Sequence, residues 1–245
     1  MNNLQISDDY KPVLEHVKSF IKEKIEPMEE EFHSEVGKGG ERWQYTERMT
    51  EILEDLKNKA KEEGLWNFFL PNAKFPGAPR ISNLDYAYLA EQMGMSSLAP
   101  EVFNCAAPDT GNMEVLERYG NEAQKEQWLK PLMNGEIRSS YAMTEPDVAS
   151  SDATNIATEA VLDGDEWVIN GEKIWISGAG DPRCKILICM VVTNPDASRH
   201  SRQSQILVPM DTPGVEILGA MHVFGSDDAP HGCLLYTSPS PRDRG

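Results

Sequence analysis

The chain has 245 residues, with 23 Lys and Arg against 40 Asp and Glu, for a formal net charge of −17. That length suits one large domain or two smaller ones, and the 40% hydrophobic fraction is enough for a core. So acidic a surface repels phosphate backbones and anionic lipid, so neither nucleic acid nor a membrane surface is an expected partner. The longest apolar run, Ile186–Val192, has seven residues, against about 20 for a membrane span. Met1–Asp9 carries neither a basic n-region nor an Arg-rich amphipathic pattern. The expected location is therefore cytoplasmic, with a mitochondrial or peroxisomal address left open. Cys105, Cys184, Cys189 and Cys233 form no C-x-x-C pair and the five histidines are scattered. Reduced thiols and no metal site are expected.

From residue 10 to about 135 the apolar spacing is helical. Val13, Val17, Phe20, Ile21, Ile25 and Met28 form one stripe; Met49, Ile52, Leu53, Leu56 and Ala60 form a second, which ends at Gly64. Leu84–Met95 predicts a third helix. Met113–Tyr119, stopped by Gly120, and Glu122–Met133, stopped near Gly135, predict two more. Pro71, Pro76, Gly77 and Pro79 break the chain between the second and third. At about Arg138 the period changes to two. Ile156–Leu162 and Trp167–Asn170 flank Asp163-Gly164-Asp165, and Asn170-Gly171 precedes Lys173–Ser177. Both Gly dipeptides predict tight hairpin turns. Ile186–Thr193, Gln205–Pro209 and Val215–Val223 complete a run of short strands. The expected fold class is α+β, with a helical domain over residues 1–137 and a mainly antiparallel β domain over 138–232. Residues 233–245 are basic, proline-rich and unpatterned. They read as a mobile tail or, the favoured reading, as foreign sequence fused to a truncated gene.

Three segments bear on function: Leu116–Glu136, Tyr141–Asp152 (YAMTEPDVASSD) and Asn170–Ser177 (NGEKIWIS). In this order, at an α-to-β boundary, they resemble the acyl-CoA dehydrogenase family, respectively its helix pair, its flavin-binding motif and the strand that passes the flavin ring. The resemblance covers about residues 10–232. The motif departs from the common form: Asp147-Val148-Ala149-Ser150-Ser151-Asp152 is one residue longer and lacks the usual glycine. That form, with Gly178–Lys185, is similar to a subgroup that acts on long-chain acyl and hydroxyacyl thioesters and that in animals is fused to a kinase-like domain. With no such segment before Met1, a stand-alone version is expected. Where the strand usually ends in Thr, Ser177 keeps the hydroxyl.

The resemblance implies FAD as cofactor and an acyl-CoA thioester as substrate. The reaction would be α,β-dehydrogenation to the trans-2-enoyl product. It also implies an electron-transferring flavoprotein as acceptor and a homodimer or homotetramer when complete. Tyr141, Ala142, Met143, Thr144, Glu145, Pro146, Asp147, Val148, Ala149, Ser150 and Ser151 would make the cofactor loop. A turn rich in hydroxyls and backbone N–H groups binds an anion without lysine, although Thr144–Asp147 taken alone reads more readily as a plain surface turn. By family position Met143 and Thr144 would meet the isoalloxazine, and Ser151 both cofactor and thioester. Trp175 and Ser177, flanking Ile176, are expected on one strand face, Trp175 covering the ring and Ser177 bonding its N5/O4 edge. The plainer alternative is a core tryptophan and a solvent serine. No catalytic residue is expected here, because the family's base is a carboxylate from a C-terminal α domain missing from this chain. As written, the chain is expected to be inactive. A flavin oxidase, or an acidic interaction module that kept the fold without the flavin, are the alternatives.

Overall fold

The computed structural model describes residues 4–40, 44–70, 81–221 and 232–239; of Ala220 and 232–239 only the backbone is described. The proline-rich break at 71–80, the end of the last predicted strand and residues 240–245 lie outside these. The chain divides into two compact units, Met1–Gly39 with Tyr45–Glu117, and Gly40–Gln44 with Arg118–Gly245.

The first unit is helical. Its amino-terminal helix runs as α1 (Lys11–Phe20), one π turn (Ile21–Ile25) and α2 (Glu26–Ser34). Pro27 explains the wide turn, since its ring crowds the carbonyl four residues back, at Glu23, and it has no N–H to donate there. Val17, Phe20, Ile21 and Ile25 are buried, as the stripe predicts. Thr46 caps α3 (Glu47–Glu62) by accepting from the N–H of Met49. Its end is a Schellman closure: Leu65 N–H donates to Ala60 and Gly64 N–H to Lys61, with Gly64 at φ +72°. α4 (Asn83–Met93), the short α5 (Ala99–Val102) and α6 (Asp109–Tyr119) complete the unit. Phe20 meets Phe103, just after α5, at 5.4 Å between ring centres. The short α5 carries too few residues to show a period and is absent from the sequence expectations.

The second unit opens with α7 (Glu122–Gln124), a second π turn (Lys125–Leu129) and α8 (Lys130–Met133). Here too a proline, Pro131, faces a carbonyl four residues back within the wide turn. β1 (Arg138–Ala142) begins where the period changes. β2 (Glu159–Asp163), β3 (Glu166–Ile176), β4 (Cys184–Val192), β5 (Gln203–Pro209), β6 (Val215–Ala220) and β7 (Gly232–Pro239) follow. They form one sheet of order β1-β4-β2-β3-β7-β6, with β5 on β4. β1 and β4 run parallel, and β2 touches β4 parallel at one residue pair; the other pairings are antiparallel. The α+β order and mainly antiparallel sheet are as expected. Among the described residues no helix is long and apolar enough to cross a membrane.

Three expectations need correction. Asp163-Gly164 does turn the β2–β3 hairpin, with Gly164 at φ +63°. Asn170-Gly171 does not turn, and β3 runs through it for eleven residues. Glycine is needed there for clearance, because a Cβ at Gly171 would lie 2.4 Å from Thr158 Oγ1. The strand predicted from Ile156 starts only at Glu159, because the N–H groups of Ala157 and Thr158 are taken by the Glu145 carboxylate. Finally, residues 233–239, read as part of an unpatterned end, lie in β7, which pairs through its backbone with both β3 and β6. Main-chain pairing asks little of residue type, so it leaves no clear pattern.

Candidate functional site

The segment 143–158 leaves the end of β1, whose Ser139, Ser140 and Ala142 are buried. Tyr141 is half-buried and its hydroxyl accepts from Gln205 Nε2 at 3.0 Å. Burial raises its pKa. Beyond Ala142, Glu145 and Ser150 turn inward and are buried; Met143 and Val148 are half-buried. Thr144, Pro146, Asp147, Ala149 and Ser151 are exposed. The Ser150 hydroxyl accepts from the Glu145 N–H at 2.9 Å, which closes the loop on itself.

Glu145 does not face outward. Its carboxylate accepts from Lys173 Nζ at 2.7 Å, from Ala157 N–H at 2.8 Å and from Thr158 N–H at 3.0 Å. Burial pushes its pKa up, but the ammonium and the N–H donors outweigh that and hold it below the usual carboxylate range. Lys173 has no exposed side-chain surface. Its other two contacts are the carbonyls of Met143 at 3.1 Å and Met190 at 2.7 Å. One residue further on, Ile174 N–H donates to the Thr144 carbonyl at 2.9 Å. Thus β3 grips the loop through two consecutive residues. Sequence reasoning missed Lys173; its one signal is a cation inside a strand that is otherwise partly apolar.

The grip is followed by an irregularity. Trp175 lies at φ +58°, a left-handed conformation rare for bulky residues. The β3–β7 register also shifts between Lys173 and Ile176. β3 ends at Ile176, which is buried, and Ser177 sits half-buried in the following turn. The expected strand alternation of Trp175 and Ser177 therefore does not hold: it assumes a regular strand through Ser177. Trp175 is 44% exposed. The turn beyond is braced by Asp181, which accepts from Arg183 Nε at 3.0 Å and Nη2 at 2.6 Å.

The donor chemistry fits a bound flavin dinucleotide. Among the described residues, the hydroxyls of Thr144, Ser151 and Ser177 make no hydrogen bond, nor do the N–H groups of Asp147, Val148, Ala149 and Ser151. Unpaired donors of this kind suit phosphate oxygens, and the half-exposed indole of Trp175, two residues beyond Lys173, offers a flat apolar wall. Arg199 clips the loop's far end, bonding Asp152 at 2.9 Å and Thr154 at 2.8 Å. Arg199 and Asp152 are both exposed, so this ion pair adds little to the stability of the fold.

Two family models match in tandem: the acyl-CoA dehydrogenase N-terminal domain over residues 7–136 and its middle domain over 140–238. Acyl-CoA dehydrogenase family member 11 of Gallus gallus is 51% identical over 224 residues, 90% of this chain but 28% of that protein. The structure of a Mycobacterium abscessus protein assigned as an acyl-CoA dehydrogenase superposes with a TM-score of 0.87 at 46% identity; the match covers 96% of this chain and 58% of that one. A glutaryl-CoA dehydrogenase from Mycobacterium smegmatis in complex with FADH2 shares the fold, with a TM-score of 0.71 at 21% identity over 96% of this chain and 54% of that one. The chain thus spans little more than half, or less, of each of these proteins. With its helical unit, its sheet and both domain models matched in order, the chain belongs to the acyl-CoA dehydrogenase family.

Proposed function

We propose that this chain supplies the flavin-holding part of an enzyme that dehydrogenates acyl-CoA thioesters between Cα and Cβ, giving the trans-2-enoyl product. The observation that carries the reading is the set of unpaired donors at the Thr144 and Ser151 hydroxyls and the N–H groups of Asp147, Val148, Ala149 and Ser151, on a loop fixed to the strand that bears Trp175. Family membership supports it, as does the FADH2 held by the glutaryl-CoA dehydrogenase of the same fold.

FAD, when bound, supplies the hydride acceptor that no side chain offers. The donors of Thr144, Asp147, Val148, Ala149 and Ser151 would hold its phosphate oxygens, and Ser151 would also meet the thioester. Trp175 would cover the ring, and the Ser177 hydroxyl would bond its N5/O4 edge. Proton abstraction falls to none of the loop carboxylates. Glu145 is committed to Lys173 and Asp152 to Arg199, while Asp147 is an exposed turn residue. The base is assigned to a later helical domain, and the 245 residues alone are expected to leave acyl-CoA unchanged. An electron-transferring flavoprotein is the proposed acceptor, and a homodimer or homotetramer the proposed assembly.

The test is to express the product of the native locus, record its flavin absorbance, and add saturated acyl-CoA thioesters without oxygen. Bleaching of the flavin band with formation of enoyl thioester is the expected result. A colourless product, or a flavin that no acyl thioester reduces, would overturn the reading. In the same protein Ser177→Ala is expected to weaken flavin binding or slow its reduction; no change in either removes Ser177 from the site.

A further inference from the structure

The Lys173–Glu145 pair is costlier than a fold needs. Removing an ammonium and a carboxylate from water carries a desolvation penalty that their attraction repays only when every donor and acceptor is used. Replacing such a pair by apolar residues is often neutral or stabilising. Here the donors are fully used: the three ammonium protons meet three acceptors, the Met143 carbonyl, the Glu145 carboxylate and the Met190 carbonyl. What distinguishes the pair is where those acceptors lie. Met143 and Glu145 bracket Thr144, whose own carbonyl is held by Ile174 N–H. Met190 belongs to β4, and the carboxylate reaches on to Ala157 and Thr158. One buried cation therefore fixes the start of the loop, the strand beneath it and, through Glu145, the loop's return. Two residues beyond the cation stands Trp175 in its left-handed conformation.

Resting on the flavin reading above, we propose that Lys173 and Glu145 are positioning residues: they hold the Thr144–Ser151 donors at a fixed height relative to Trp175, so that one flavin meets both. Neither touches the cofactor. Removing the pair leaves the sheet folded and lets the loop drift. The donors then no longer converge, and affinity is lost without loss of the core.

The experiment uses the native-locus product and the paired variant Lys173→Met/Glu145→Gln, which leaves no unpaired buried charge. The control is Val208→Ala. Val208 is buried on β5 at 1% exposure, takes no part in the hydrogen bonds that hold the loop, and destabilises the sheet by a cavity when truncated. Flavin dissociation constants are read below the unfolding range of each protein, together with the visible circular dichroism of the bound flavin. The paired variant is expected to bind flavin at least about tenfold more weakly, which is the factor that about 1.4 kcal/mol of lost positioning produces. Its visible dichroism is expected to change, while Val208→Ala keeps the parental affinity and dichroism. A paired variant that binds like the parent overturns the proposal and leaves the flavin reading intact. Equal losses in the paired variant and the control also overturn it, since general destabilisation then suffices. A parent that binds no flavin overturns both. If the paired variant does not fold, Glu145→Gln keeps the side-chain shape but loses the charge and one acceptor oxygen, an NH2 donor then facing the N–H of Ala157 or Thr158; parental affinity and dichroism in that variant overturn the proposal.

Discussion

At Trp175 the local chemistry and the backbone disagree. A tryptophan at φ +58° is strained by about 1–3 kcal/mol relative to a residue free of that clash, yet 44% of it remains exposed, so packing returns little of the cost. Trp175→Gly is therefore expected to change unfolding free energy by less than about 1 kcal/mol, with strain relief offsetting lost contact, while flavin binding falls. Urea unfolding of parent and variant checks the first half; a loss of several kcal/mol would show that the indole is a core residue. Nothing in the sequence marks the strain, because φ at residue 175 follows from the grip at 173–174 and the register shift against β7. The same holds for Glu145. Its place in the motif is legible, but its inward turn is set by Lys173, 28 residues away.

At the scale of elements, two Gly dipeptides with the same local promise end differently. Gly164 takes a positive φ between β2 and β3, whereas Gly171 lies inside β3 with Thr158 against it. Turn chemistry alone cannot separate them, because the second is decided by a contact 13 residues back. Gly171→Ala would put a Cβ 2.4 Å from Thr158 Oγ1 and 2.8 Å from its Cβ. It is expected to lower stability by about 1–3 kcal/mol, and Thr158→Gly in the same chain is expected to recover part of that. Thermal unfolding of the single and double variants measures this; a Gly171→Ala protein as stable as its parent would contradict the clash. Helices are more legible, since their period repeats within one segment. Both π turns escape a reading of the sequence because each adds a residue without ending the apolar stripe, although Pro27 and Pro131 mark where to look.

Across the whole molecule the carboxylates that brace the chain share a direction. Glu145 in the sheet unit, and Glu29 and Asp85 in the helical unit, all have lowered pKa values. Burial opposes the shift at each, most strongly at Glu145 and Glu29, where hydrogen bonds from Lys173 and from Ser96 and Ser97 respectively outweigh it. At Asp85 the bonds from Ser82 and the Ser7 N–H are the larger causes. A carboxylate lowered in the folded state gives stability that is fully present above its unfolded value, 4.5 for Glu and 3.8 for Asp. That stability is lost as pH falls through the lower folded value. The thermal midpoint is expected to stay level from pH 7 to about 5 and to fall below about pH 4.5. The paired Lys173→Met/Glu145→Gln variant should show a shallower acid limb. A midpoint that rises on acidification to pH 4 would overturn the assignment.

The parallel pairing of β1 with β4 has a consequence in time. About fifty residues, including the whole β2–β3 hairpin, must leave the ribosome between β1 and the end of its partner. At about 5–20 residues per second that is a wait of several seconds. During it Glu145 emerges first, then Lys173, then Met190, so the three acceptors of Lys173 are not all in place until β4 is made. Until then Ser140 and Ala142, buried in the finished sheet, are without their β4 neighbours Leu187 and Cys189. The loop with the candidate donors is thus assembled late in synthesis, from parts that the ribosome delivers separately.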